Sequence, residues 1–338
     1  MKAQDLVKRA VGSRWLKIAV VVAAVGVGVY EIVKEWGEVH HGLSQIGWAN
    51  SLWALLALLA MQFAALKVFQ ALLGGLGSPL SLPVSGGILF IGQLGKYIPG
   101  SLWPILAQME LGARAKVPRP RSASASILAM LVSLVAGLIT AMVTLPFAEH
   151  NADYYYVFLV LPVVLVCLYP KVLNKLLDRL FKLVKRPGLD QPITGRVLAR
   201  ALAWSFTAWL LNGLQMYLLV DGFGAPVGKT LLLSIGGYAF AWCVGFVVVI
   251  DPAGAGLREA LIVAALAPVI GGVPALAAAL VSRAVNTVAD LVCAGTAALA
   301  WRHQRKTEAR DGADGSDGDP ELSDAATPPV PSASDRNS

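Results

Sequence analysis

Long apolar runs separated by short polar loops dominate this chain. Several of the runs reach the roughly 20 residues that an α-helix needs to cross a bilayer, and none shows the apolar-polar alternation of barrel strands. The pattern therefore predicts an all-α fold, a polytopic helical membrane protein. Full spans are predicted at about residues 18–30, 48–73, 124–146, 154–169, 198–220 and 273–301.

Two further apolar segments are interrupted by polar and helix-breaking residues. The segment at 84–107 contains GQLGKYIPGSLW, with Lys96, and the segment at 230–270 contains VIDPAGAGLREA, with Asp251. Proline cannot donate a backbone hydrogen bond and glycine permits a turn. Hydrocarbon offers no partner for freed backbone groups, so such breaks must be buried in protein or line a wet cavity. We expect two re-entrant hairpins, each with a candidate binding site at its break.

Charged residues at the span ends predict the orientation. Residues 1–17 are basic, and by the positive-inside rule they place the N-terminus, and with it the C-terminus, in the cytoplasm of a cell (inner) membrane. About six full spans and two hairpins satisfy this rule. An amphipathic helix at 171–185 is expected to lie on the inner leaflet, and residues 303–338 are expected to form a disordered cytoplasmic tail. The integral membrane domain is therefore predicted at 18–302.

A short internal similarity predicts a repeat. LLGGLGSPL at 72–80 and LVDGFGAPV at 219–227 share two glycines and a proline in register, 147 residues apart. The charge pattern places the first loop inside and the second outside, which makes the halves, at about 48–169 and 198–301, inverted repeats. Inverted repeats with broken segments recur in secondary transporters, where substrate binds near the midplane.

Composition agrees with membrane insertion and excludes several other classes of protein. The 338 residues are 56% hydrophobic and only 14% charged, against about 25% charged in soluble domains. The net charge of +7 follows from topology and does not call for a nucleic-acid partner. The three cysteines and four histidines lack the spacing of disulfide or zinc sites. We expect no metal, no cofactor, no catalytic residue and no enzyme activity.

The charged residues beside the two breaks are the candidates for chemistry. A charge at membrane depth costs at least about 2.5 kcal/mol, so each requires a partner or water. Lys96 could form a structural ion pair with Asp251 or Glu259. Alternatively, Lys96 and Arg258, with free N–H groups at helix starts, could hold a phosphate head group. The sequence leaves both interpretations open, and they are compatible if substrate competes for the pair.

The last span carries a polar stripe. Arg283, Asn286 and Asp290 fall at i, i+3 and i+7 and therefore share one helical face. Arg283 with Asp290 could form a buried structural clamp, although an intramembrane stripe favours a functional role. Asp251, Glu259 and Asp290 are candidates for proton or ion coupling. The candidates for substrate binding are Gln93, Lys96, Tyr97, Pro99, Gly100, Trp103, Pro252, Gly254, Gly256, Arg258, Arg283 and Asn286.

In its two broken segments and the Arg283 helix, the chain resembles the membrane domain of bacterial lysylphosphatidylglycerol synthases and the related flippase-like family, over about residues 14–302. Ala253 and Ala255 depart from the glycine and the larger apolar residue expected there. The resemblance implies movement of a lipid head group between leaflets. It does not imply aminoacyl transfer, because no synthase domain is present. The matched positions are Lys96, Tyr97, Pro99, Gly100, Trp103, Pro252, Gly254, Gly256, Arg258 and Glu259.

The expected function is therefore that of a lipid flippase or transporter for an anionic phospholipid or a lipid-linked head group. Its partner would be a membrane phospholipid or a polyprenyl-linked lipid. One alternative is a non-transporting membrane subunit that presents lipid to a separate glycosyl- or aminoacyl-transferase. Another is an ion-coupled transporter of a small solute. The sequence has no nucleotide-binding motif, so transport would be passive or ion-driven.

Overall fold

The computed structural model describes residues 37, 44–97, 102–148, 193–247 and 256–314. Every regular element in these ranges is helical, which confirms the predicted all-α class. The predicted spans at 18–30 and 154–169 and the amphipathic helix at 171–185 lie outside the described residues. The α-helices are α1 Trp48–Gly75, α2 Leu82–Gly86, α3 Trp103–Arg114, α4 Arg119–Ala148, α5 Gly195–Val220, α6 Val227–Val247, α7 Leu257–Ile270 and α8 Gly272–Asp314.

Four of these helices are long and apolar enough to cross a membrane. The qualifying stretches are Trp48–Gly75, Arg119–Phe147, Val227–Phe246 and Gly272–Thr307. The helix α5 coincides with another predicted span, but it is less apolar than these four. The helix α6 is long enough to span by itself, although the sequence assigned it to a re-entrant hairpin.

The predicted break in the first apolar segment is present as a hairpin. After α2, the chain continues through a π-helical turn, Gly87–Ile91, and a 3-10 turn, Leu94–Tyr97, and it resumes as α3. The two legs run antiparallel, because Gly92 faces Gln108 and Gly95 faces Trp103. The legs are so close that a Cβ on Gly95 would lie 2.9 Å from the carbonyl carbon of Trp103. Glycine is therefore required at this approach.

The second broken segment also forms a helical hairpin, from α6 and α7. Gly245 faces the Arg258 Cβ, and Gly237 faces Ala265, so these legs are antiparallel as well. The helix α7 begins after Gly256, which has a φ of 95°, a conformation that L side chains rarely adopt. The Gly256 N–H donates to Glu259 Oε2 at 2.7 Å, which caps the first turn of α7.

The two halves pack reciprocally. The helices α1 and α5 pack along each other, α4 packs along α6, and α8 packs along α2 and the π-helical turn. The last described helix of each half, α4 or α8, thus contacts the hairpin of the other half. Gly77 and Gly224, which follow α1 and α5 in register, have φ of 83° and 74°. These are features that a repeat would produce. Inversion of the halves relative to the membrane stays a prediction.

The end of α8 differs from the predicted tail. The helix continues to Asp314, so the stretch from His303 to that residue, which was expected to be disordered, is helical. Glu308, Ala309 and Arg310 have high helix propensities, and adding residues to a formed helix is much easier than starting a new one. The remainder of the predicted tail lies outside the described residues.

Candidate functional site

A polar band crosses the interior between two buried apolar clusters. The helix α1 contributes Leu66 to one cluster and Leu58 to the other, and Gln62 lies between them. The helix α8 passes from one cluster to the other at the position of Asp290. Both polar side chains are buried. The band therefore sits between the two apolar clusters, where the buried side chains of Gln62 and Asp290 need protein partners.

Asp290 is the centre of this band. Its Oδ2 atom lies 2.5 Å from the Lys96 ammonium and accepts a hydrogen bond from the Tyr97 hydroxyl at 2.8 Å. Its Oδ1 atom accepts from the Gln62 amide at 2.8 Å. The Asp290 side chain is only 4% exposed, whereas that of Lys96 is 39% exposed. This carboxylate thus joins α8 to α1 and to the break of the first hairpin.

A second ion pair joins α8 to the second hairpin. Arg283 Nη1 lies 3.9 Å from Glu259 Oε1, and the two side chains are 25% and 14% exposed. This pair is longer than the pair between Lys96 and Asp290, and its carboxylate is more exposed. The other carboxylate oxygen of Glu259 already accepts from the N–H that begins α7.

These pairings differ from the two sequence-based pairings whose residues are both described, Lys96 with Glu259 and Arg283 with Asp290. Lys96 pairs with Asp290 and not with Glu259, and Arg283 pairs with Glu259 and not with Asp290. The physical reason is that α8 passes both hairpins in turn. The two charges on α8 are seven residues apart, about two helical turns, so each meets the hairpin beside it. The alternative partner Asp251 lies outside the described residues.

Arg258 lies close enough to both ion pairs to interact electrostatically with their members. Its guanidinium carbon lies 4.6 Å from the centre of the Tyr238 ring, a cation–π contact. Among the described residues no carboxylate lies within 4.0 Å of this guanidinium, although Glu259 and Asp290 are close enough to act on it electrostatically. The described part of the site therefore holds three cations and two carboxylates. Among these five described residues one positive charge is in excess.

Asn286 completes the polar face of α8. Its amide donates to the Ser282 carbonyl at 2.8 Å and to the Tyr238 hydroxyl at 3.3 Å. The buried Tyr238 ring is thus held from its hydroxyl end while its face meets Arg258. Arg283, Asn286 and Asp290 consequently do face the interior from one side of α8, as their spacing predicts.

The remaining predicted site residues are distributed around the breaks. Gln93 is half-buried in the turn before the first break, Trp103 begins α3 and is 43% exposed, and Gly256 precedes α7. The roles assigned to these residues stay predictions. In the part of the chain that the structure describes, no group of three His, Cys, Asp or Glu side chains could hold a metal ion. The predicted residues outside the described ranges are Pro99, Gly100, Asp251, Pro252 and Gly254.

Two residues of the site were not predicted from the sequence. Gln62 is a single polar residue in an apolar stretch of α1, and its signal was its position in mid-span, where polar side chains are costly. Tyr238 gave no such signal, because an aromatic residue in an apolar helix most often belongs to the core. Only the fold places its ring under Arg258.

Comparison with known proteins found a family match. The family model described as "Lysylphosphatidylglycerol synthase TM region" matches residues 14–294, which include both hairpins and most of α8. A search of curated proteins found no match. Together with its four apolar helices, this match identifies a multi-pass membrane protein, and it points to a function related to membrane lipid. The chain belongs to the family defined by the transmembrane region of lysylphosphatidylglycerol synthases.

Proposed function

We propose that this protein moves an anionic phospholipid or lipid-linked head group between the two leaflets, and that Lys96, Arg258 and Arg283 receive the head group. One observation carries this proposal. Arg258 lies among the charges of the interior band, and no described carboxylate lies within 4.0 Å of it. Its close contact is the face of Tyr238. Among its described residues the site therefore holds a cation without a carboxylate partner, for which an anionic ligand is a natural partner.

The chemistry of arginine suits a phosphate. A guanidinium presents a rigid fork of N–H donors that binds two phosphate oxygens at once. Arg258 also belongs to the first turn of α7, where backbone N–H groups and the helix dipole favour negative charge. The cation–π contact holds the guanidinium in place without neutralising its charge. These features support a phosphate-bearing head group as the ligand.

The two breaks support movement of the head group rather than its permanent binding. Both hairpins meet the same face of α8, and their legs end or begin in the middle of the polar band. Broken segments that meet near the midplane are the usual site of alternating access in secondary transporters. We propose that the first hairpin opens toward the cytoplasm and the second toward the outside, with both termini cytoplasmic.

A membrane subunit that only presents lipid to a separate transferase would use the same cations. Such a subunit would bind the head group but would not exchange it between leaflets when reconstituted alone. We further propose that the chain catalyses no covalent step itself, because each described carboxylate of the site is already paired with a cation. A leaflet-exchange measurement separates transport from presentation.

The test is exchange of a fluorescent phosphatidylglycerol analogue between leaflets of proteoliposomes. Wild type is compared with Arg258→Gln and with the matched control Arg200→Gln, which neutralises an exposed arginine of α5 outside the site. Loss of one charge-assisted contact of about 1.5–3 kcal/mol predicts that Arg258→Gln slows exchange at least about tenfold. Arg200→Gln should exchange at the wild-type rate.

Two results would contradict the proposal. Wild-type exchange no faster than in protein-free vesicles, with folded and inserted protein, would favour the lipid-presenting subunit. Unchanged exchange in Arg258→Gln would show that the surplus cation does not receive the head group. Each variant must match wild type in gel-filtration profile and thermal midpoint before it is reconstituted.

A further inference from the structure

The proposed head group must compete with Asp290 for Lys96. Lys96 is one of its three receiving cations, yet its ammonium already lies 2.5 Å from Asp290. The Lys96 side chain is 39% exposed and can turn toward an incoming phosphate. Asp290 cannot follow, because its side chain is 4% exposed and is tied to Gln62 on α1. Binding of the head group therefore draws Lys96 away from a buried carboxylate.

A buried carboxylate that loses its cation is unstable. The cost of an uncompensated buried charge is several kcal/mol, and such a group becomes neutral when a proton is available. The remaining donors to Asp290, the Gln62 amide and the Tyr97 hydroxyl, are uncharged. In the described structure, the titratable and charged groups that act on Asp290 are Lys96 and Tyr97 from the first hairpin, Arg258 from α7, and Cys293 from α8 itself.

We propose that Asp290 takes up one proton when Lys96 leaves it to bind the anionic head group. The protein then carries one proton and one head group across the membrane in the same direction. This inference rests on the lipid transport proposed above. The proton moves from water to a carboxylate oxygen of Asp290, and Lys96 stays an ammonium ion throughout. A singly charged phosphodiester and one proton leave the net charge of the buried site unchanged, which avoids the cost of moving net charge into it.

Among the three carboxylates considered for coupling, Asp290 fits this role best of those described. Glu259 keeps a backbone hydrogen bond at 2.7 Å that does not depend on Arg283, and its ion pair is already long at 3.9 Å. Loss of the pair with Arg283 would therefore change the electrostatic surroundings of Glu259 less than loss of Lys96 would change those of Asp290. Asp251 lies outside the described residues.

Coupled and uncoupled transport respond to different driving forces. A head group that carries one proton is electrically neutral, so one pH unit across the membrane should shift the leaflet ratio about tenfold and the membrane potential should not shift it. An anionic head group that moves alone should ignore the pH gradient. It should instead shift about fiftyfold for 100 mV.

The experiment measures the leaflet ratio of a fluorescent phosphatidylglycerol analogue in proteoliposomes under a pH gradient alone or a potassium-diffusion potential alone. Protein-free vesicles supply the background for each condition. Wild type should respond to the pH gradient, and a protonophore should abolish that response. Asp290→Asn, which keeps the shape but cannot bind the proton, should respond to the potential and lose the pH response. Asp290→Glu should keep the pH response, and so should the control Glu110→Gln, which neutralises a carboxylate that pairs with Arg119 outside the site.

The outcomes separate this inference from the function on which it rests. A wild-type response to potential but not to pH, or a pH response that survives in Asp290→Asn, would overturn proton coupling and leave lipid transport standing. No exchange above background in any condition would overturn both. If Asp290→Asn does not fold, calorimetry of wild type with short-chain phosphatidylglycerol is used instead. A comparison of two buffers of different ionisation enthalpy gives the number of protons taken up per bound lipid. About one proton per bound lipid is expected, and none would overturn the inference.

Discussion

The two hairpins reach the same helix with opposite charges. The first hairpin presents a cation, Lys96, to Asp290, and the second presents an anion, Glu259, to Arg283. Their packing is otherwise reciprocal, since the last described helix of each half lies along the hairpin of the other. The two hairpins thus pack in similar ways, while the charges that they bring to α8 differ in sign. A head group bound between the hairpins would therefore contact an asymmetric site.

The hairpins also differ in how closely their legs approach. In the first, a π-helical turn and a 3-10 turn bring the backbone at Gly95 against the backbone at Trp103. Such turns are frequent at functional sites because they re-aim side chains, and here the 3-10 turn ends on Lys96 and Tyr97. In the second, α6 is regular and Gly245, near the end of α6, leaves ordinary contact distance to Arg258, although farther along the legs a Cβ on Gly237 would lie 2.8 Å from the Ala265 Cβ. At the described residues beside the breaks, backbone meets backbone only in the first hairpin, so this end of the first hairpin is the tighter one.

The largest expected loss of stability comes from breaking the shorter ion pair, between Lys96 and Asp290. Asp290→Ala removes the acceptor of Lys96, Tyr97 and Gln62 together. Removing one partner of a buried pair costs about 3–5 kcal/mol, and the partial exposure of Lys96 places this case at the lower end, about 3 kcal/mol. Unfolding in mixed micelles of increasing SDS fraction measures the free energy.

Lys96→Ala supplies the control for this prediction. It removes a partly exposed side chain and leaves the Gln62 and Tyr97 hydrogen bonds to Asp290, so a smaller loss is expected than for Asp290→Ala. A double-mutant cycle then gives the energy of the pair itself. Equal losses in both single variants, with no coupling between them, would show that Asp290 is not the centre of the band.

A glycine pair tests the difference in leg spacing. A Cβ on Gly95 would meet backbone atoms of Trp103 and Pro104 at 2.9 Å, and backbone cannot rotate away, so Gly95→Ala should cost about 1–3 kcal/mol. A Cβ on Gly245 would lie 3.9 Å from the Arg258 Cβ. Gly245→Ala should therefore be neutral, or gain up to about 1 kcal/mol from helix propensity. Similar losses in both variants would contradict the proposed difference.

The sequence was sufficient for the helical class, the first hairpin and the polar face of α8, and each has a local cause. Apolar run length reveals a helix that crosses a membrane, the glycines and proline of GQLGKYIPGSLW reveal a break, and the i, i+3, i+7 spacing of Arg283, Asn286 and Asp290 reveals a shared face. These signals need no knowledge of neighbouring helices.

The partners of these charges needed the fold. Whether Lys96 meets Asp290 or Glu259 depends on which turn of α8 lies beside each hairpin, and that register is set by packing between segments almost 200 residues apart. The contact between the Tyr238 ring and Arg258 also depends on packing, because it joins the two legs of the second hairpin. Local spacing carries no information about either contact.

The smallest expected effect concerns the longer ion pair, between Arg283 and Glu259. It separates the two roles of Glu259, which pairs with Arg283 and caps the first turn of α7. Glu259→Gln removes the charge that faces Arg283 but keeps an acceptor for the Gly256 N–H, because glutamine also serves in a capping box. A partly exposed pair at 3.9 Å predicts a loss of about 0.5 kcal/mol. Glu259→Ala also removes the cap and should lose about 1 kcal/mol more. If Glu259→Gln instead destabilised the protein as strongly as Asp290→Ala in the same SDS titration, the two ion pairs would be equivalent, and the asymmetry of the two hairpins would not extend to their energetics.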